Sequence, residues 1–238
     1  MESQISELRS VINDSDNIVF FGGAGVSTES GIPDFRSTDG LYNQKYAYPP
    51  ETMLSHSFFM ENTAEFYRFY RDKMIYPDAK PNAAHFKLAE LESQGKLKAV
   101  VTQNIDSLHQ TAGSRCVHEL HGSVHRNFCM TCKAAHPLEH ILESGGVPRC
   151  VCDGIVKPDV VLYEEPLDQN VLEEAVSAIR DADVLIVGGT SLNVYPAAGL
   201  LQYYRGNKLI LINKSELSCE RNAALVIRGK IGEVLERV

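Results

Sequence analysis

No apolar run in this 238-residue chain approaches the roughly 20 residues that would cross a bilayer. The opening MESQISELRS lacks the basic, apolar and small-residue order of a secretory signal. These absences set the expectation of a cytoplasmic protein with no membrane partner. Basic charge is in deficit: 23 Lys and Arg against 31 Asp and Glu leave a formal net charge of −8. That is the wrong sign for a general polyanion binder, so no nucleic acid is expected. The same balance mildly favours cationic partners such as lysine-bearing segments. Internal repeats and low-complexity tracts are missing, and the length suits one domain, or one domain with an insert. A G-x-G-x-x-G fingerprint is absent too, which removes the usual mark of a dinucleotide dehydrogenase.

What is present is a repeating alternation. Ile5, Leu8, Val11 and Ile12 recur at helical spacing in residues 3–13. Short runs apolar on both faces then follow at 17 (NIVFF), 97 (LKAVVT), 160 (VVLY), 183 (DVLIVGG), 208 (KLILIN) and 224 (ALVIRG). Most are separated by candidate helices at 57–74, 82–94, 168–180 and 194–205, the pattern of a parallel sheet covered on both faces. The predicted fold is α/β, a Rossmann-like doubly wound sheet. Two stretches break the alternation, a Tyr- and Pro-rich one at about 38–56 and a cysteine-bearing one at about 125–155. They predict a smaller lobe, a helical insertion plus a zinc-ribbon module, over 38–77 and 124–156. Residues 1–37, 78–123 and 157–238 are left for the main domain.

Four of the six cysteines fall between positions 129 and 152. Cys129 and Cys132 form a C-x-x-C knuckle, and Cys150 and Cys152 a C-x-C pair. Four thiolates can close a tetrahedral Zn²⁺ shell with no place left for water, which predicts one structural ion. Two disulfides or free buried thiols are the alternatives. His125, at the border of the module, is a spare ligand only if a cysteine is not. Cys116 and Cys219 read as small buried hydrophobes.

The stretch FFGGAGVSTESGIPDFRS at 20–37 places Gly22, Gly23 and Gly25 after a strand, where main-chain N–H groups can approach a pyrophosphate. A tight turn is the plainer reading. The flap beyond it carries Phe35 and Arg36 in a segment too polar for core. An aromatic face beside a guanidinium suits shielding a reactive sugar while the cation meets phosphate. TQNID at 102–106 puts amides and a carboxylate at the carboxyl end of a strand, where ligands of open α/β sheets bind, although Asp106 also suits a helix cap. His121 lies between an apolar Leu and a permissive Gly, and an imidazole can accept a proton at neutral pH. His56, His85, His136 and His140 read as ordinary surface or core residues.

GAGVSTESGIPDFRS, TQNIDSLHQTAGS, ELHGSVHRNFCMTC, KPDVVLYEE, GTSLNVYPAAG and LILIN occur in that order. Over residues 14 to 230 or so they resemble the sirtuins, the NAD-dependent protein deacylases of silent-information-regulator type, and most of all a compact bacterial member. The resemblance implies that Gly23, Ala24, Gly25, Thr28, Phe35 and Arg36 hold NAD, the glycine loop at its pyrophosphate and the flap over nicotinamide. It implies that Gln103 and Asn104 contact the ribose and order water, that Ile105 and Asp106 recognise the nicotinamide amide, and that Gly189, Thr190, Ser191 and Asn213 meet the adenosine half. His121 is then the general base, with Asn104 as the second catalytic residue, and Val160, Val161, Leu162 and Tyr163 offer their backbone to an acylated lysine in a protein or peptide. The implied reaction moves ADP-ribose to the acyl oxygen and ends in free lysine, nicotinamide and O-acyl-ADP-ribose. Mono-ADP-ribosyl transfer on the same fold, or a non-catalytic NAD and acyl-lysine module, are the alternatives. Three departures stand out: Gly22 where many relatives have Thr, Asp153 where Gly is common after the last cysteine, and no Tyr-x-x-Arg pair before PNAAH. Tyr67 is followed there by Tyr70, and Tyr70 by Lys73, which favours an uncharged acyl group.

Overall fold

The computed structural model describes residues 2–35, 40 and 48–238. In chain order, α1 (Glu2–Asn13) leads to β1 (Ile18–Gly22), which runs into two 3₁₀ turns, Ala24–Val26 and Thr28–Ser30. Next come α2 (Pro50–Met53), α3 (His56–Glu61), α4 (Thr63–Lys73), α5 (Ala83–Ser93), β2 (Leu97–Thr102), α6 (Leu108–Thr111) and β3 (Val117–Glu119). An excursion through β4 (Gly122–Cys129), β5 (Ala135–His136), α7 (Leu138–Glu143) and β6 (Val156–Val160) precedes α8 (Gln169–Asp181) and β7 (Val184–Gly188). A 3₁₀ segment, Ala197–Tyr203, then leads to β8 (Lys208–Asn213), β9 (Leu225–Arg228) and α9 (Ile231–Leu235).

The main sheet has the order β3-β2-β1-β7-β8-β9, with every pairing parallel. With the excursion set aside, this is the doubly wound order whose direction of growth reverses between the two central strands. β1 and β7 are buried along their whole length, so neither shows the alternation of a half-wet sheet. One face packs Ile5, Leu8, Leu88 and Leu91 of α1 and α5 with Val234 of α9; the other packs Ala175, Ile179 and Leu200. A third core, around Phe59, Phe66, Tyr67, Tyr70, Ile141 and Val156, joins the helical insertion to an antiparallel sheet of order β5-β4-β6.

Several elements differ from the sequence expectation. VVLY at 160 is not a main-sheet strand. β6 ends at Val160 and pairs antiparallel with β4, and the next amides turn inward: Leu162 N–H donates to the Glu165 carboxylate (2.9 Å) and Tyr163 N–H to Leu54 O (3.0 Å). The helix expected at 57–74 is two helices parted at Asn62, whose φ of −129° and ψ of 45° are not helical. Most of the stretch expected as a helix at 194–205 is 3₁₀. β3 and β4 were not anticipated, because CVHELHGSVHRNFC is interrupted by His, Glu and Arg and lacks two apolar faces. β4 begins at Gly122 and β6 ends at Val160, so boundaries drawn at 123/124 and 156/157 cross both strands. Arg36 and most of the 38–49 stretch lie outside the described residues.

α5 starts with a capping box: Asn82 Oδ1 accepts from Ala84 N–H (2.9 Å) and His85 Nδ1 from Asn82 N–H (3.2 Å). The His85 ring lies 4.7 Å, centroid to centroid, from that of His109 in α6, and both are buried. Burial pushes His85 down to about 4 and His109 down to about 3, with the His85 charge adding to the second shift. Both stay neutral in the folded state while an unfolded histidine gains its proton near pH ~6.5. Their contribution is therefore intact above that pH and is lost as pH falls toward about 4. The urea midpoint is expected to drop between pH 7 and pH 5, and to drop less in His109→Leu; equal slopes in the two proteins would contradict this origin.

Candidate active site and metal centre

The two central strands end side by side, and the loops leaving them touch. Gly25 N–H donates to Gly189 O at 2.7 Å. A Cβ on Gly25 would meet Gly189 backbone atoms at 2.8 Å, and one on Gly189 would lie 2.4 Å from Val26 N. Gly189 also holds a φ of +59°, in the region that side chains disfavour. The loops after β1, β2, β7 and β8 open on a cleft of about 910 Å³ shared with β6 and the small lobe. Gly23, Ala24, Gly25, Thr28 and Phe35 line it, with Gln103, Asn104, Ile105, Asp106 and His121. Val160, Val161, Leu162, Tyr163, Gly189, Thr190, Ser191 and Asn213 complete the expected set. Arg36 alone of the expected cofactor residues cannot be placed, since it lies outside the described residues.

Hydrogen bonds cross-link these loops. Gln103 Nε2 donates to Thr190 Oγ1 (3.1 Å), and Gln103 N–H to Gly22 O (3.0 Å). Thr28 Oγ1 donates to Gly25 O (3.0 Å), and Asn213 Nδ2 to Ser215 O (2.9 Å). Asp106 Oδ1 accepts from Leu108 N–H (2.9 Å), the first residue of α6; the N-cap position itself is Ser107, so Asp106 serves the helix start from one residue before the cap. Its Oδ2 accepts from Ser27 Oγ (2.6 Å), and Ser27 Oγ in turn accepts from Asn104 Nδ2 (3.0 Å). Burial raises the Asp106 carboxyl above the ordinary range, against the pull of those two donors.

His121 follows β3, and its Nδ1 lies 2.9 Å from Gln103 O. A carbonyl can only accept, so Nδ1 carries the proton and Nε2 of the neutral ring is the basic nitrogen. Burial holds the imidazole below its usual value, and the Gln103 carbonyl opposes that shift in part. The adjoining segment is tied to His121 itself, Val161 N–H donating to His121 O (3.0 Å), and Tyr163 O accepts from His56 N–H (3.0 Å). The Glu165 carboxylate steadies the same turn through His56 Nδ1 (2.9 Å) and Lys157 Nζ (3.0 Å).

Two sets of cleft residues escaped the sequence reading. Ser27 sits inside the quoted glycine stretch, where nothing in the local sequence sets it apart from an ordinary turn serine; only the fold shows it 1% exposed and hydrogen-bonded in the cleft. Asn193 and Val194 line the cleft but precede a segment read as a helix.

The four clustered thiols lie within 4.8 Å of one another, with Sγ–Sγ distances of 3.5 Å for Cys129–Cys152 and 3.6 Å for Cys132–Cys150. A disulfide needs about 2.05 Å, whereas the edge of a zinc tetrahedron with bonds of ~2.3 Å is ~3.8 Å. The donor set therefore fits a single zinc ion. The Cys132 N–H, 3.4 Å from Cys129 Sγ, leads the donors that pull the Cys129 thiol down to about 6. Lys133 and Asp153 take φ of 63° and 65° at the two knuckles, so Asp153 adopts the left-handed turn that glycine would otherwise supply. Gly154 is obligatory, because a Cβ there would lie 2.6 Å from Cys129 Sγ. His125 is no part of this cluster and lines the cleft instead.

The family model described as Sir2 family matches residues 23–196. An NAD-dependent protein deacetylase of Clostridium acetobutylicum is 62% identical over 239 residues, 99% of this chain and 98% of its own length. One of Clostridium perfringens is 60% identical, covering 100% and 99%. A solved structure described as a Sir2, p53 peptide and NAD⁺ complex superposes with a TM-score of 0.86 at 40% identity, covering 98% of this chain and 96% of that one. Sir2Tm bound to a propionylated peptide does so with a TM-score of 0.86, 40% identity and the same coverage.

Purified protein is expected to carry one zinc per chain by elemental analysis. Cys132→Ser should lose most of that zinc and melt at a lower temperature, because metal binding and folding of the small lobe are coupled; a full zinc complement in the variant would contradict the four-thiolate shell.

Proposed function

The chain belongs to the Sir2 family, and on that premise we propose how its residues carry out the NAD-dependent deacetylation of protein lysines that it performs. NAD is its cosubstrate, zinc its structural ion, and acyl-lysine peptides and proteins its substrates. The observation that carries the assignment of roles is the convergence of the glycine loop, TQNID, His121 and GGTS on one cleft.

The crossing of Gly25 and Gly189 is a cradle that any Cβ would fill, which suits the pyrophosphate, with Ala24, Gly23 and Thr28 beside it. Thr190, Ser191 and Asn213 take the adenosine half. Asp106 and Ile105 take the nicotinamide amide, while Gln103 and Asn104 hold the ribose. Phe35, with Arg36 beyond the described residues, shields the reacting sugar from water. When bound, NAD⁺ supplies an activated ribose carbon and nicotinamide as leaving group.

His121 Nε2 takes a proton from a ribose hydroxyl, the orientation of the ring being held by the Gln103 carbonyl. Val160, Val161, Leu162 and Tyr163 form one wall of the acyl-lysine channel. Their amides and carbonyls are largely bonded within the protein, so we assign this wall to side-chain contact as much as to backbone pairing. The channel suits an uncharged acyl group: Tyr67 and Tyr70 are wholly buried, and Lys73 pairs with Asp72 at 3.0 Å.

The Rossmann-like body built on the parallel sheet binds NAD, and the small lobe built on α2 to α4 and the sheet of β4, β5 and β6 forms the wall that faces the acyl-lysine. Among the described residues no helix is long and apolar enough to cross a membrane. A cytoplasmic site is our reading, supported by the clustering of four reduced thiols as a metal site, the usage a reducing compartment favours.

His121→Ala is expected to lower deacetylation of an acetyl-lysine peptide by about 10²- to 10⁴-fold while NAD⁺ still binds; unchanged turnover would refute the base. Because burial holds His121 below about 6.5 and the neutral ring is the active form, kcat/KM should stay level from pH 8 to 7 and fall only below that value. A decline already complete at pH 7 would contradict this protonation state.

A further inference from the structure

Asn82 lies outside the cleft, yet its side chain joins the start of α5 to the glycine loop. Its Nδ2 donates both protons into the glycine loop, to Val26 O (2.8 Å) and to Ser30 Oγ (2.9 Å). Those acceptors are the last residues of the two successive 3₁₀ turns, Ala24–Val26 and Thr28–Ser30. Between the turns sits Ser27, whose hydroxyl donates to Asp106 and accepts from Asn104. Turns of three residues close few bonds of their own, so their relative position depends on an outside tie.

The other half of the side chain fastens that tie to a rigid element. Oδ1 caps α5, and the Asn82 main-chain N–H is held by His85 Nδ1. With Nδ1 accepting, neutral His85 carries its proton on Nε2, and this ring packs on His109 in α6, directly behind the TQNID loop. The start of α5 thus reaches two of the loops of the cleft, the glycine loop by hydrogen bonds from Asn82 and the segment after TQNID by the packing of His85 on His109.

We propose that Asn82 is a positioning residue for NAD: it clamps the two turns of the glycine loop so that Ser27 holds Asp106 and Asn104 in their binding orientation. It touches neither cosubstrate. The inference rests on the reading of Asp106 and Asn104 as NAD residues.

Helix capping and loop clamping can be separated at this one position. Asn82→Asp and Asn82→Ser each keep an acceptor for the cap, since Asp and Ser are as good at an N-cap as Asn, and neither can donate to both Val26 O and Ser30 Oγ. Both variants should melt close to the wild type but show a KM for NAD⁺ raised about tenfold, with KM for the acetyl-lysine peptide little changed. Ser30→Ala, which removes one acceptor and leaves the cap alone, should raise the same KM by a smaller factor and add little on top of Asn82→Ser. A wild-type KM for NAD⁺ in folded Asn82→Ser, or a melting loss with no change in KM, would overturn the proposal. Should both Asn82 variants fail to fold, a wild-type KM in Ser30→Ala would overturn it equally, and a raised one would support it. Asp106→Asn is the control: if it leaves NAD⁺ binding untouched, the underlying site assignment fails, whereas a defect there beside normal Asn82 and Ser30 variants sinks only the clamp.

Discussion

The molecule is organised around the place where two glycines meet. Gly25 and Gly189 leave the two central strands in opposite senses of sheet growth, and their backbones approach until a 2.7 Å hydrogen bond joins them. No side chain fits at either position. Parallel strands put all their carboxyl ends on one edge, and the reversal of order between β1 and β7 parts the helices there. A crevice floored by main chain is the result. The small lobe, built from residues that interrupt the alternation, supplies the facing wall.

That crevice handles charge by fixed dipoles and solvent exclusion. The Asp106 carboxyl is lifted by burial and restrained by Ser27 and the α6 amide. The same burial lowers the His121 imidazole, so both groups are pushed toward their neutral forms. A neutral imidazole beside a carbonyl keeps one ring nitrogen basic at neutral pH. The zinc thiolates sit in a different lobe and share no hydrogen bond with His121 among the described residues. The thiol cluster belongs to the wall, and the proposed base stands at the end of a main-sheet strand.

Much of this was legible in the sequence. Runs such as DVLIVGG and KLILIN are apolar on both faces because their strands are buried on both faces, and β7 and β8 lie where those runs predict. The four cysteines declare their site by spacing alone, and their thiols converge. What stayed hidden depends on tertiary partners. VVLY has strand composition, but Glu165 and Leu54 take the amides that a ladder would use. β3 and β4 carry charges such as Glu119 and Arg126, which pair at 2.6 Å only once the chain has folded. Ser27 and Asn82 look like ordinary loop and cap residues, because nothing local reveals which distant atoms their polar groups reach.

The central claim is that one cleft holds the dinucleotide and the acylated lysine together, so that neither reacts alone. Mass spectrometry of an acetyl-lysine peptide incubated with the protein, with and without NAD⁺, tests it directly. The account predicts acetyl loss only with NAD⁺, with nicotinamide and O-acetyl-ADP-ribose formed in equal amounts and no nicotinamide released from NAD⁺ when the peptide is omitted. Free acetate produced without NAD⁺, or nicotinamide release at the same rate without the peptide, would contradict it.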